Sequence, residues 1–211
     1  MTSLPLEDIQ GYILRGYRME FARHFILQVI DVDRARQFIG ALVAHEPTIH
    51  AQVVNRQPEQ IPQITTAVDW GDTKPDYSLN IGLTYDGLKA LQVSTLASFP
   101  LEFQEGAAKR AIVVGDQEES NPATWVGSLD TANAANAHIV LTLHALSPDI
   151  LERTSATLRD LFKQALHELW CFDAEALEAY QSVPRPANVE HDPVAFPKVH
   201  FGYTDGIAQP T

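Results

Sequence analysis

The residues best suited to chemistry stand in FGYTDGIAQP, residues 201–210 of a 211-residue chain. Asp205 follows Thr204 and lies between Gly202 and Gly206, in a stretch with no other charged side chain. An isolated carboxylate can take up and release a proton at a reacting group. A glycine directly after it lets the backbone approach a flat ligand with no Cβ in the way. The same residues also suit a plain Asp-Gly turn, in which Asp205 bonds only its own backbone. Both readings stay open on the pentapeptide alone.

Other titratable groups are less suggestive. The sequence has eight histidines and a single cysteine. His24, His138 and His144 fall in segments that alternate like strands and read as sheet or core residues. His45, His50 and His167 fall at helix ends or in connections, where a cation is favourable. His191 and His200 flank the last proline-rich stretch. The acidic run GDQEES (115–120) lacks the ligand spacing of a calcium loop. Glu102 and Glu105 near Arg110 read as pairing on a helix surface. Trp70, Trp125 and Trp170 read as packing residues, and Cys171, in an apolar strand, as buried and inert.

Composition narrows the classes of function. Twenty-seven acidic residues against fifteen basic ones give a formal net charge of −12, which repels phosphate backbones and anionic headgroups. Neither nucleic acid nor a membrane surface is expected as a partner. One cysteine forms no internal disulfide, there is no zinc-finger spacing, and the N-terminus has no basic-then-apolar leader. These features predict a soluble, cytoplasmic protein. With 45% apolar residues, the chain can bury roughly 70% of the surface of its unfolded form.

The elements that must position these residues are legible as periodicities. HFILQVI (24–30) is apolar on both faces and reads as a central strand. Asp31 then caps a helix whose Val32, Ala35, Ile39 and Leu42 recur three or four apart. Residues 47–76, with Pro58 and Pro62, read as an extended connection. YSLNIGLTY (77–85) is the second strand, and Asp86 opens a short helix. LEFQEGAAKRAIVVG (101–115) reads as helix up to Gly115, and residues 115–125 as solvated loop. AHIVLTLHAL (137–146) is a strand, Ser147 and Pro148 start a helix that runs to about His167, and a last strand is predicted within 169–180.

The order is the βαββαβ pattern of a ferredoxin-like α+β fold with an antiparallel sheet, expanded in its middle by a helical and irregular insertion. Residues 1–181 form the predicted domain. Residues 182–211, with several prolines and little periodicity, form an extended tail that carries the GxxDG segment.

Five stretches in order, DIQGYILRGY (8–17), FQEGAAKR (103–110), VGD (114–116), NPATW (121–125) and FGYTDGIAQP (201–210), resemble the dye-decolorizing (DyP-type) haem peroxidases. The resemblance covers the chain and matches the N-terminal half of that family. It implies two ferredoxin-like domains with haem b between them, acting on hydrogen peroxide and then on dyes, phenols or another organic reductant. It implies that Asp205 is the distal acid and that Gly202, Thr204, Asp205, Gly206 and Ile207 line the haem, with His200 near enough in sequence to meet a propionate. An acid-shifted optimum follows for a carboxylate of ordinary pKa. The family's iron-binding histidine and distal arginine lie beyond the GxxDG segment, so no metal ligand is carried over to this chain. The resemblance therefore implies a complementary C-terminal half, or a homo-oligomer, as partner. The alternative is a truncated ferredoxin-like module without catalysis that serves oligomer or ligand binding.

Overall fold

The computed structural model describes residues 4–14, 19–43, 61–68, 70, 74–127 and 129–175. Four strands, β1 (Phe21–Val29), β2 (Tyr77–Leu83), β3 (Ile139–Ala145) and β4 (Leu166–Glu175), form one sheet in the order β2-β3-β1-β4. β3 pairs antiparallel with both β1 and β2. The helices are α1 (Gly11–Leu14), α2 (Val32–Val43), α3 (Tyr85–Ala90), α4 (Leu101–Lys109), α5 (Ala111–Val114) and α6 (Pro148–Phe162). α2 joins β1 to β2 and α6 joins β3 to β4, which is the ferredoxin-like α+β arrangement. The expansion between β2 and β3 holds α3, α4 and α5.

Register divides the sheet into two unlike faces. Phe25 pairs with Leu141, and Leu79 pairs with Leu143, so the odd-numbered residues of β1, β2 and β3 point one way. Phe25, Leu27, Leu79, Ile139, Leu141 and Leu143 are all at 0% exposure on that face. They pack in one core with Ala35, Phe38 and Leu42 of α2 and Leu151, Leu158 and Phe162 of α6. The Phe162 ring stands edge-on to both Phe25 and Phe38, at 6.2 and 5.9 Å between centroids, a geometry that adds to burial through the ring quadrupoles.

Caps and clamps hold the layers in place. The Asp31 carboxylate accepts the Arg34 N–H at 3.0 Å, and the Ser147 hydroxyl accepts the Ile150 N–H at 3.3 Å ahead of Pro148. Each satisfies a donor that a helix start leaves open. Arg23, near the start of β1 and 7% exposed, donates to both oxygens of Asp173 on β4, at 2.6 and 2.7 Å, and of Glu152 on α6, at 2.7 and 3.1 Å. The two carboxylates hold the guanidinium well above its ordinary pKa, and are themselves held below theirs by it. The free edge of β2 is sealed: the Gln10 amide donates to the Ile81 carbonyl and accepts its N–H, both at 2.8 Å, while Thr65 bonds the Leu79 backbone. An unsealed edge would offer a template for another strand.

Several sequence expectations need correction. α6 ends at Phe162, not near His167, and β4 begins at Leu166, not Leu169. The apolar spacing runs on through the turn because Leu166 enters the same core, while the Ala165 carbonyl accepts the N–H groups of Ile30 and Asp31. Residues 101–115 are two short helices, not one. Gly106 stands at φ 71° and ψ 173°, outside the helical region, and Gly115 ends α5 at φ 89°. α3 is capped by the Thr84 hydroxyl, which accepts the Gly87 N–H at 2.9 Å, and not by Asp86. β1 begins at Phe21, three residues before the apolar run. Cys171 is half-buried, with burial pushing its thiol pKa up. The tail 182–211, and with it His191 and His200, lies outside the described residues, as do His45, His50 and Pro58.

Candidate functional site

The second face of the sheet carries a different chemistry. Alternation with the core residues places Ser78 and Asn80 of β2, Thr142 and His144 of β3, and His24 of β1 on it. Phe172 of β4 joins them, stacked on the His24 ring at 4.7 Å, and Trp170 lies beside Phe172 at 4.8 Å. The Tyr12 ring of α1 stacks on His144 at 5.7 Å, and His144 meets His24 edge-on at 6.3 Å. One row of rings thus crosses three strands. Gly127, at φ 71°, lies so close to the Trp170 indole that a Cβ there would collide with it, so the insertion rests its backbone on this end of the row.

Hydrogen bonds and burial fix the state of these groups. His24 Nδ1 is 3.1 Å from the Thr142 hydroxyl. Burial lowers the pKa of His24 and of His144, and for His144 the charge of His24 lowers it further. His138, at the start of β3, uses both ring nitrogens: Nδ1 accepts the Val29 N–H at 2.9 Å and Nε2 lies 3.1 Å from the Ala135 carbonyl. Burial lowers its pKa too. The Ser78 hydroxyl and both polar atoms of the Asn80 amide are buried with no hydrogen-bond partner among the described residues. Sequence reasoning missed this pair, because Ser78 and Asn80 read simply as the polar half of an alternating strand. It also missed the Arg23 clamp, whose partners stand 129 and 150 residues away.

The segment that drew attention first is not among these groups. Gly202, Thr204, Asp205, Gly206 and Ile207 all lie outside the described residues. Of the histidines expected in strands, His24 and His144 lie in β1 and β3, while His138 stands one residue before β3. No group of three or more His, Cys, Asp or Glu among the described residues could hold a metal ion. A haem iron needs a strong axial donor; among the described residues His24 and His138 hold the partners just named, His167 stands exposed on β4 and not at a helix end, and the Cys171 sulfur lies against the Arg159 guanidinium at 3.4 Å. No helix of the described residues is long and apolar enough to cross a membrane.

The fold is thus a ferredoxin-like sheet with one apolar face under helices and one polar and aromatic face. Residues 8–176 match the family described as the DyP dimeric alpha+beta barrel domain, and the chain belongs to that family, the DyP-type peroxidases, through their N-terminal domain. It is 25% identical over 210 residues to a dye-decolorizing peroxidase of Exidia glandulosa, covering all of this chain and 35% of that protein. Among solved structures, an ancestral D-type dye-decolorizing peroxidase superposes with a TM-score of 0.70 at 20% identity, over 99% of this chain and 40% of its own. A dye-decolorizing peroxidase in complex with 2,6-dimethoxyphenol gives 0.66 at 24% identity, over 99% and 40%. The chain therefore spans well under half the length of the relatives it matches.

Proposed function

We propose that this chain is the distal half of a haem-dependent peroxidase, which reduces hydrogen peroxide at the expense of a phenol, dye or similar organic reductant. The observation that supports it is the family match across 8–176, followed in the sequence by Gly202, Thr204, Asp205 and Gly206 in the GxxDG spacing. Haem b, when bound, supplies the redox chemistry. Asp205 supplies the proton chemistry: as a carboxylate it takes a proton from one peroxide oxygen and, protonated, gives one to the other. Gly202 and Gly206, having no Cβ, would let the backbone approach a flat ring, and Thr204 and Ile207 are the neighbouring residues that the family resemblance assigns to its lining. Positioned proton transfer of this kind contributes about 10²- to 10⁴-fold in rate.

The iron seat belongs to a complementary α+β domain. That assignment rests on the family resemblance, in which the iron-binding histidine follows the GxxDG segment. A second reading, a module without catalysis, draws on the same observation.

The test is a chimera in which this chain replaces the matching 35% of the Exidia glandulosa enzyme. Peroxide-dependent oxidation of an anthraquinone dye at mildly acid pH is expected, with Asp205→Asn slowing it by about 10²-fold or more while the Soret band is kept. Turnover that Asp205→Asn leaves unchanged contradicts the assignment. A chimera that binds haem and stays inactive with Asp205 in place favours the second reading.

A further inference from the structure

The insertion between β2 and β3 re-enters the sheet at His138, one residue before β3, and the ring of that histidine ties it down. Nδ1 accepts the N–H of Val29, the last residue of β1, at 2.9 Å, and Nε2 lies 3.1 Å from the Ala135 carbonyl in the short turn Ala134–Asn136. A carbonyl can only accept, so Nε2 carries the proton and Nδ1 keeps its lone pair. The ring is thereby held neutral in one tautomer. The backbone around it is fixed as well. The His138 N–H donates to the Leu27 carbonyl at 3.0 Å and the His138 carbonyl accepts the Thr84 N–H at 3.1 Å, while the Gln28 amide donates to Asn136 Oδ1 at 3.1 Å. α3 lies so close that a Cβ on Gly87 would collide with the His138 carbonyl.

A proton on Nδ1 removes that acceptor. It sets one N–H against another and leaves the Val29 amide unpaired, which costs stability. The groups that face the ring do little to offset this. β1 presents Val29 and the uncharged Gln28, and the turn presents Ala135 and Asn136. α3 presents Asp86 and Lys89, which pair with each other and act on the ring in opposite directions. Burial, the largest influence, lowers the pKa of the ring. The residue is only half-buried, so water lies within reach of a charged ring. We propose that His138 is an acid-released latch: neutral, it ties the return end of the insertion to the end of β1, and protonated, it turns out to water and lets that end go. The latch is independent of the haem reading, since it involves neither the tail nor a cofactor.

The test is nuclear magnetic resonance of the 211-residue chain as the pH falls from about 7.5 to about 5. Ring nitrogen shifts report the tautomer and titration of His138, and hydrogen exchange, corrected for its intrinsic rate, reports the protection of the Val29 N–H. The Nε2–H tautomer is expected at the upper end. An open latch takes up a proton at about pH 6.5 and a closed one does not, so the protection of Val29 should fall by about tenfold for each pH unit below that value. It should drop below that of the amides in the middle of β1, which open only with the whole sheet. His138→Asn puts a carbonyl oxygen close to the place of Nδ1 and does not titrate, so it should hold Val29 at acid pH. An Nδ1–H tautomer overturns the proposal, as does a Val29 amide that keeps its protection while the ring titrates or exchanges only together with the middle of β1. The wild-type chain decides these outcomes whether or not the variant folds, and a folded variant that loses Val29 protection with acid as the wild type does also overturns it.

Discussion

The two faces of the sheet are built from the same strands and obey different physics. On the helix-covered face the fully buried strand residues are apolar, and α2 and α6 fill it with rings and branched side chains, with the Ser155 hydroxyl and the Arg23 guanidinium buried beside them. The second face holds two histidines with lowered pKa, a row of aromatic rings, and a buried amide and a buried hydroxyl that have no hydrogen-bond partner among the described residues. Buried polar groups without partners cost stability. The contrast teaches that the first face makes most of the fold, while the second gives up apolar contact for polar and aromatic side chains at a cost to stability.

Leucine 141 gives the largest expected effect. Leu141→Ala removes a side chain at 0% exposure and should lower the unfolding free energy by about 2–5 kcal/mol, read from the urea midpoint at unchanged slope. On the other face the effect should shrink and turn pH-dependent. His24 and His144 are lowered mainly by burial, with Asp173 opposing that effect at His24. Their folded pKa values lie below the unfolded value of about 6.5, so the unfolded chain binds protons first. Stability should be full above that value and fall as the pH drops through it toward the folded pKa values. His24→Phe should flatten the dependence of the urea midpoint on pH.

The smallest change should have the opposite sign. Asn80→Leu replaces a buried amide that has no partner with an apolar side chain of similar volume, and should raise the unfolding free energy by about 0.5–1 kcal/mol. A loss of stability there would mean that the amide is satisfied in solution, and the contrast between the faces would narrow.

Much of this architecture was legible from periodicity. The strands at YSLNIGLTY and AHIVLTLHAL alternate because one face must be apolar, HFILQVI stands out by being apolar on both, and Asp31 and Ser147 announce their helices by side-chain chemistry that acts within three residues. What acts over longer distances was not legible. Arg23 looks like a solvated residue ahead of an apolar run until Glu152 and Asp173 close on it. The end of α6 was masked because Leu166 keeps the helical spacing while already pairing as a strand, and the break at Gly106 depends on a backbone angle that composition does not reveal. The candidate site was legible differently: Asp205 and its glycines emerge from motif and resemblance, and they lie outside the described residues. His24 and His144, read in sequence as sheet residues, are sheet residues, while His138 falls just ahead of β3 and His167 falls within β4.

The central claim is that this chain brings proton chemistry to a haem site whose iron seat lies elsewhere. A haemin titration of the purified chain, followed at the Soret band and then challenged with peroxide and an anthraquinone dye at mildly acid pH, tests it most directly. The account predicts broad, non-saturating absorbance and no dye oxidation by the chain alone. A sharp, saturable band with dye turnover, lost on replacing a single histidine of this chain, would contradict it.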